Sequence, residues 1–138
     1  MDTTDHGPAP YVVDIERLTL ENDNFRTTVW TNDHLQLTVM MIPVGGDIGL
    51  EVHPNTDQFI RIEQGHGKVE MGPDRENLNF VQEVQDGSAS FVPAGTWHNV
   101  VNVGDTELKL YTLYGPKDHV AGTVHHTQQD AMNDPNEH

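Results

Sequence analysis

The sequence predicts an all-β fold, a barrel or a sandwich, and three observations carry that expectation. Apolar residues come in short bursts rather than in long amphipathic stretches. The bursts are rich in β-branched and aromatic side chains, which suit a pleated, half-buried surface. Gly, Pro, Asn and Asp punctuate them at short, regular intervals, as turns do between strands.

In chain order the expected strands fall at 35–44, 50–53, 59–62, 69–71, 80–84, 89–92, 97–103 and 108–114. The run Leu35-Gln-Leu-Thr-Val39 shows the alternation most clearly. Gly45-Gly46, Gly65-His-Gly67, Asp86-Gly87 and Gly104-Asp105 are the strongest turn marks. Residues 14–26 fit a helical turn or an extended arm equally well. The polar ends, 1–10 and 126–138, read as flexible tails around one barrel domain at 11–125.

The 138 residues are enough for one buried core, and the absence of cysteine removes disulfides and thiolate metal sites. Seven basic against twenty-two acidic residues give a formal charge of −15, which disfavours nucleic acid and anionic membrane as partners. An anionic substrate needs a local cation, and a bound metal can supply one. With no basic-apolar leader and no apolar run of roughly 20 residues, a cytoplasmic protein is expected.

Glu51 and His53 are two apart, so on a strand they share a face. Gln58 is in phase with Ile60 and Ile62, whereas Arg61 and Glu63 occupy the other phase. Polar groups beside an apolar stripe need partners, since burial without them costs about 1–3 kcal/mol each. Two arrangements satisfy that need: a metal ion, or a buried Glu–His pair with no ion.

The segment Gly87-Ser-Ala-Ser-Phe-Val-Pro93-Ala-Gly95-Thr-Trp-His98-Asn-Val-Val-Asn102 shifts the balance toward metal. It matches the second cupin motif, G-x5-P-x-G-x2-H-x3-N, at every fixed position. Gly45, His53 and Gly65 keep the spacing of the first motif, with Glu51 in place of its first His and Gln58 in place of its Glu. The chain thus resembles the cupin superfamily, and the resemblance implies a jelly-roll β-barrel. It also implies metal-ligand positions at Glu51, His53, Gln58 and His98.

Two imidazoles, one carboxylate and an amide oxygen favour Mn, Fe, Co, Ni or Zn over Ca or Mg. The pattern is most similar to small single-domain bacterial cupins of the mannose-6-phosphate isomerase type. That implies a metal-dependent isomerase, epimerase or lyase acting on a small sugar or carbonyl compound. An Fe-dependent dioxygenase and a non-catalytic ligand-binding or sensor module are the alternatives.

Tyr111 and Tyr114 lie in opposite phases of a late strand, and Tyr111 is the candidate acid or base. Asn102, in phase with His98, is expected to tie down the barrel by hydrogen bonding. Trp97 and Asn99 should point away from His98. His66 is expected in solvent at a hairpin turn; His119, His125 and His126 either close over the barrel mouth or, the favoured option, lie on a surface tail. Apolar residues on both faces of 100–103 and 108–113 point to a homodimer.

Overall fold

Turn chemistry sets the path of the chain in this computed structural model, which describes residues 2–137. The elements are α1 (Ile15–Glu21), β1 (Arg26–Thr31), β2 (Gln36–Ile42), β3 (Asp57–Gln64), β4 (His66–Gly72), β5 (Phe80–Gln85) and β6 (Ala89–Val92). They continue with β7 (Trp97–Asn102), β8 (Leu108–Gly115), β9 (Val124–His125), α2 (Gln128–Asn133) and a 3-10 turn, Pro135–Glu137. One antiparallel sheet has the order β6-β3-β8-β2-β1-β9 and the other β5-β4-β7. Together they form the expected all-β cupin jelly roll.

The barrel interior follows from strand parity. Even-numbered residues of β2, β3 and β8 face inward, and at one end they are apolar: Met40, Ile42, Ile60, Ile62, Leu108 and Leu110. Toward the other end the same parity sets Gln36, Thr38, Gln58, Thr112 and Tyr114 inside, all buried. Thr38 and Thr112 are register partners and share a 2.8 Å hydroxyl hydrogen bond. The interior is therefore layered, with a dry floor and a polar upper half.

Residues 14–26 take the helical option, with β1 beginning at Arg26. Asp14 caps α1 by accepting the Arg17 backbone N–H, and the helix ends where the Asn22 N–H meets the Thr19 carbonyl. Ile15 and Leu18 of α1 cover Leu37 and Val39 together with Tyr111 and Leu113 on the outer sheet face. β8 is apolar on both faces because the chain covers it itself, so that part of the dimer argument falls.

Three expectations change. β1 was not visible in sequence, and residues 50–53 form no strand, pairing instead through one isolated bridge between Glu51 and His98. The terminal segments expected as tails lie against the barrel. His6 donates its backbone N–H to Val29, the Trp30 indole donates to the Ala9 carbonyl, and Ala131 of α2 is buried. Polar bonds hold them, which composition does not reveal; Met1 and His138 lie outside the described residues. Among those residues no helix is long and apolar enough to cross a membrane.

Candidate metal centre

Each side chain of the centre is aimed by a local backbone feature. The turn before β7 is closed by the Thr96 N–H to the Pro93 carbonyl, with Gly95 at φ 82°, a value that favours glycine. It delivers His98 onto the strand facing inward, fully buried. Glu51 and His98 exchange both backbone hydrogen bonds, at 3.0 and 2.9 Å, so their side chains emerge side by side. The Gly95 N–H donates to the His53 carbonyl, which anchors the third residue to the same turn. Gln58 sits opposite Tyr114 at the start of β3.

The ligand atoms of Glu51, His53 and His98 lie within 4.8 Å of one another. Glu51 Oε1 is 3.3 Å from His53 Nε2 and 3.7 Å from His98 Nε2, yet neither imidazole nitrogen is aligned to hydrogen-bond with anything. Two ligands at about 2.1 Å from a shared ion, about 90–110° apart, stand about 3.0–3.4 Å from each other. Both nitrogens are buried orphans, as are both amide atoms of Gln58. The two Nε2 atoms and Gln58 Oε1 offer lone pairs of the kind a cation takes, whereas Gln58 Nε2 is a donor that a cation does not satisfy.

The far edge of each ring is tied. His53 Nδ1 is paired with Asp118 Oδ1 at 3.1 Å and His98 Nδ1 donates to the Thr96 carbonyl at 3.1 Å. Those bonds select the tautomer with a lone pair on Nε2, the form a metal takes. The residues therefore fit the ion that the motif spacing implies.

Electrostatics without an ion tell the same story from the proton's side. Burial alone would lower the His53 pKa, but the hydrogen bond with Asp118 and the Glu51 carboxylate outweigh it and push the value up to about 10. Burial raises the Glu51 carboxyl, but the two imidazoles hold it well below the usual carboxylate range. In the same way His53 holds the Asp118 carboxyl low against its burial. A proton occupies the place a cation would take.

Asp118 was not singled out in sequence, nor was what positions it. Gln36, fully buried on β2, accepts the backbone N–H groups of Asp118 and His119 at 3.1 and 2.9 Å. Its amide donates to the His119 carbonyl and to Thr31 Oγ1. No sequence signal marks a glutamine whose work is to hold the loop that follows the neighbouring strand β8.

Tyr111, the candidate acid or base, packs against Phe59 and α1 on the outer face, away from the centre. Tyr114 is the tyrosine at the centre, its ring 5.6 Å from His53 edge to face and its hydroxyl 3.2 Å from His119 Nε2. Burial raises its pKa and keeps it a neutral phenol. His119 and His125 are buried and bonded rather than on a surface tail, whereas His126 and His66 are exposed. Trp97 and Asn99 point outward as expected. Asn102 donates to the Ile42 and Thr106 carbonyls and accepts the Gly104 N–H, the tie expected of it.

A second group of ligand-type side chains, His125, Asp134 and Glu137, is already engaged. Arg26 Nη1 donates to His125 Nδ1 at 3.2 Å and His125 Nε2 donates to Asp134 at 2.9 Å, leaving that ring no lone pair.

Comparison with known proteins shows the family. The Cupin domain family matches residues 38–114. The Bacillus subtilis (strain 168) protein YrkC is 57% identical over 128 residues, 93% of this chain and 69% of that protein. The crystal structure of BH2720 from Bacillus halodurans is 56% identical, with a TM-score of 0.92 over 94% of this chain and 98% of that one. KdgF from Halomonas sp. shares the fold at 22% identity, with a TM-score of 0.58 over 67% of this chain and 80% of that one. The chain belongs to the cupin family.

Proposed function

We propose that Glu51, His53 and His98, with Gln58 as a fourth donor, hold one divalent transition metal: Mn, Fe, Co, Ni or Zn. The protein is then a metal-dependent enzyme acting on a small sugar or carbonyl compound by isomerisation, epimerisation or lysis. The observation that carries this is the pair of orphaned imidazole nitrogens facing one carboxylate, each ring tied at its other edge. Bound there, the ion supplies Lewis acidity to a substrate oxygen. Asp118 orients His53, and Tyr114 and His119, bonded to each other, are the proton-bearing groups beside it. The likeness to mannose-6-phosphate isomerase-type cupins stays a lead toward sugar chemistry.

A second reading, an Fe-dependent dioxygenase, is supported by the two-imidazole, one-carboxylate composition of the cluster. Metal analysis of untagged protein tests the shared premise: wild type should carry about one ion per chain, and Glu51→Ala and His98→Ala much less. Equal trace metal in all three would sink the site. Turnover by the Fe-loaded protein that needs oxygen selects the dioxygenase.

The proposed setting is the cytoplasm, and the proposed assembly a homodimer. Support for the dimer now comes from β6, an edge strand on which Phe91 is 71% exposed, beside Phe59.

A further inference from the structure

A cavity of about 330 Å3 opens beside Glu51, walled by Phe25, Arg26 and Ile48 and roofed by Ala131 of α2 and by Glu137. Arg26 is its only basic lining residue among those described, and it is 3% exposed. One guanidinium nitrogen donates to His125, but the buried Nε–H meets no acceptor. A buried guanidinium with an unmatched donor is costly, so its acceptor is expected to arrive with a ligand.

Part of the answer is already in the chain. Both carboxylate oxygens of Glu137 accept from His119 Nδ1, at 2.8 and 2.9 Å, while the same group stands 3.8 Å from Arg26 Nη1. That distance gives an ion pair without a hydrogen bond. Glu137 ends the short 3-10 turn, whose Pro135 and Asn136 are exposed, so it can leave without disturbing the core. A carboxylate thus lies next to the candidate metal centre, fully bonded to the histidine and incompletely to the arginine.

We propose that Arg26 and His119 form a carboxylate-binding subsite beside the Glu51–His53–His98 cluster, filled by Glu137 until a small carboxylic acid displaces it. This rests on the metal reading for what happens to the acid, and it names the ligand class. A buried arginine overcomes locally the repulsion that the −15 chain imposes on anions at a distance. An internal carboxylate present in about nine molecules of ten weakens apparent ligand affinity about tenfold.

Titration calorimetry of the full chain with malonate, and with neutral malonamide as control, tests this. Malonate should bind Glu137→Gln about tenfold tighter than wild type, and malonamide neither. Arg26→Met should abolish malonate binding; if that variant misfolds, Arg26→Lys, which keeps the charge but loses the fork, should weaken it at least tenfold. Equal affinity in wild type and Glu137→Gln, or wild-type affinity without Arg26, overturns the subsite. Metal content of the same samples separates the two readings. Metal retained without malonate binding ends the subsite alone; malonate binding by metal-free protein upholds the subsite and ends the metal reading.

Discussion

His53 is engaged at both edges of its ring, by Asp118 at Nδ1 and by Glu51 facing Nε2. With no metal bound it carries a proton, and its pKa of about 10 lies above its ordinary 6.5. That raised value adds stability that is complete below about pH 6.5 and lost as pH climbs through about 10. The lowered carboxyls of Glu51 and Asp118 act in the opposite sense, losing their contribution as pH falls below the ordinary carboxylate range. Melting temperatures of chelator-treated protein should therefore fall from pH 6.5 toward pH 10. Metal must displace the His53 proton, so binding should release about one proton near pH 7 and tighten as pH rises. Calorimetry in two buffers of different ionisation enthalpy counts that proton, and a count of zero contradicts the assignment.

The same residue is where sequence reading reaches its limit. Motif spacing named Glu51, His53, Gln58 and His98, and the fold brings the ligand atoms of Glu51, His53 and His98 within 4.8 Å of one another. Asp118 and Arg26 come from far along the chain and carry no local signature. Replacing Asp118 with Asn should leave the fold intact and weaken metal affinity about 10- to 100-fold, measured by chelator competition.

At the scale of elements, β1 escaped detection because Arg26, Thr27, Thr28 and Thr31 present polar side chains although all are buried. A strand lining a polar interior lacks the apolar alternation by which strands are recognised. The same blindness hid Gln36 at the head of β2. Gln36→Leu keeps the volume but strips acceptors from the N–H groups of Asp118 and His119. Urea denaturation should show a loss of about 1–3 kcal/mol. Metal affinity should drop with it, and Gln36→Leu combined with Asp118→Asn should fall short of the summed effects, since both act through one loop. Additive losses would separate the glutamine from the centre.

For the whole molecule, the all-β class and the inner faces of β3 and β7 were legible from alternation and turn residues, and the jelly roll from the motif resemblance; the sheet order was not. The coverings were not. Tyr11, Ile15 and Leu18 overlie β2 and β8, so the apolar outer face of 108–113 belongs to one chain. The proposed dimer therefore rests on the outer face of 100–103, where Val103 is 50% exposed, and on the β6 edge. Light scattering at micromolar concentration should give twice the chain mass for wild type and a monomer for Phe91→Glu. A monomeric wild type removes the dimer.

The layered interior separates two kinds of demand that most cores must meet with the same residues. The floor, from Met40 to Leu110, is apolar and sets how strongly the chain folds. The upper half contributes orphaned atoms and buried charge, which weigh against folding and are tolerated because the floor offsets them. Substitutions should sort by height in the barrel, those below changing how much protein survives and those above changing what it does. Such a vessel can exchange its contents over time while its walls stay as they are.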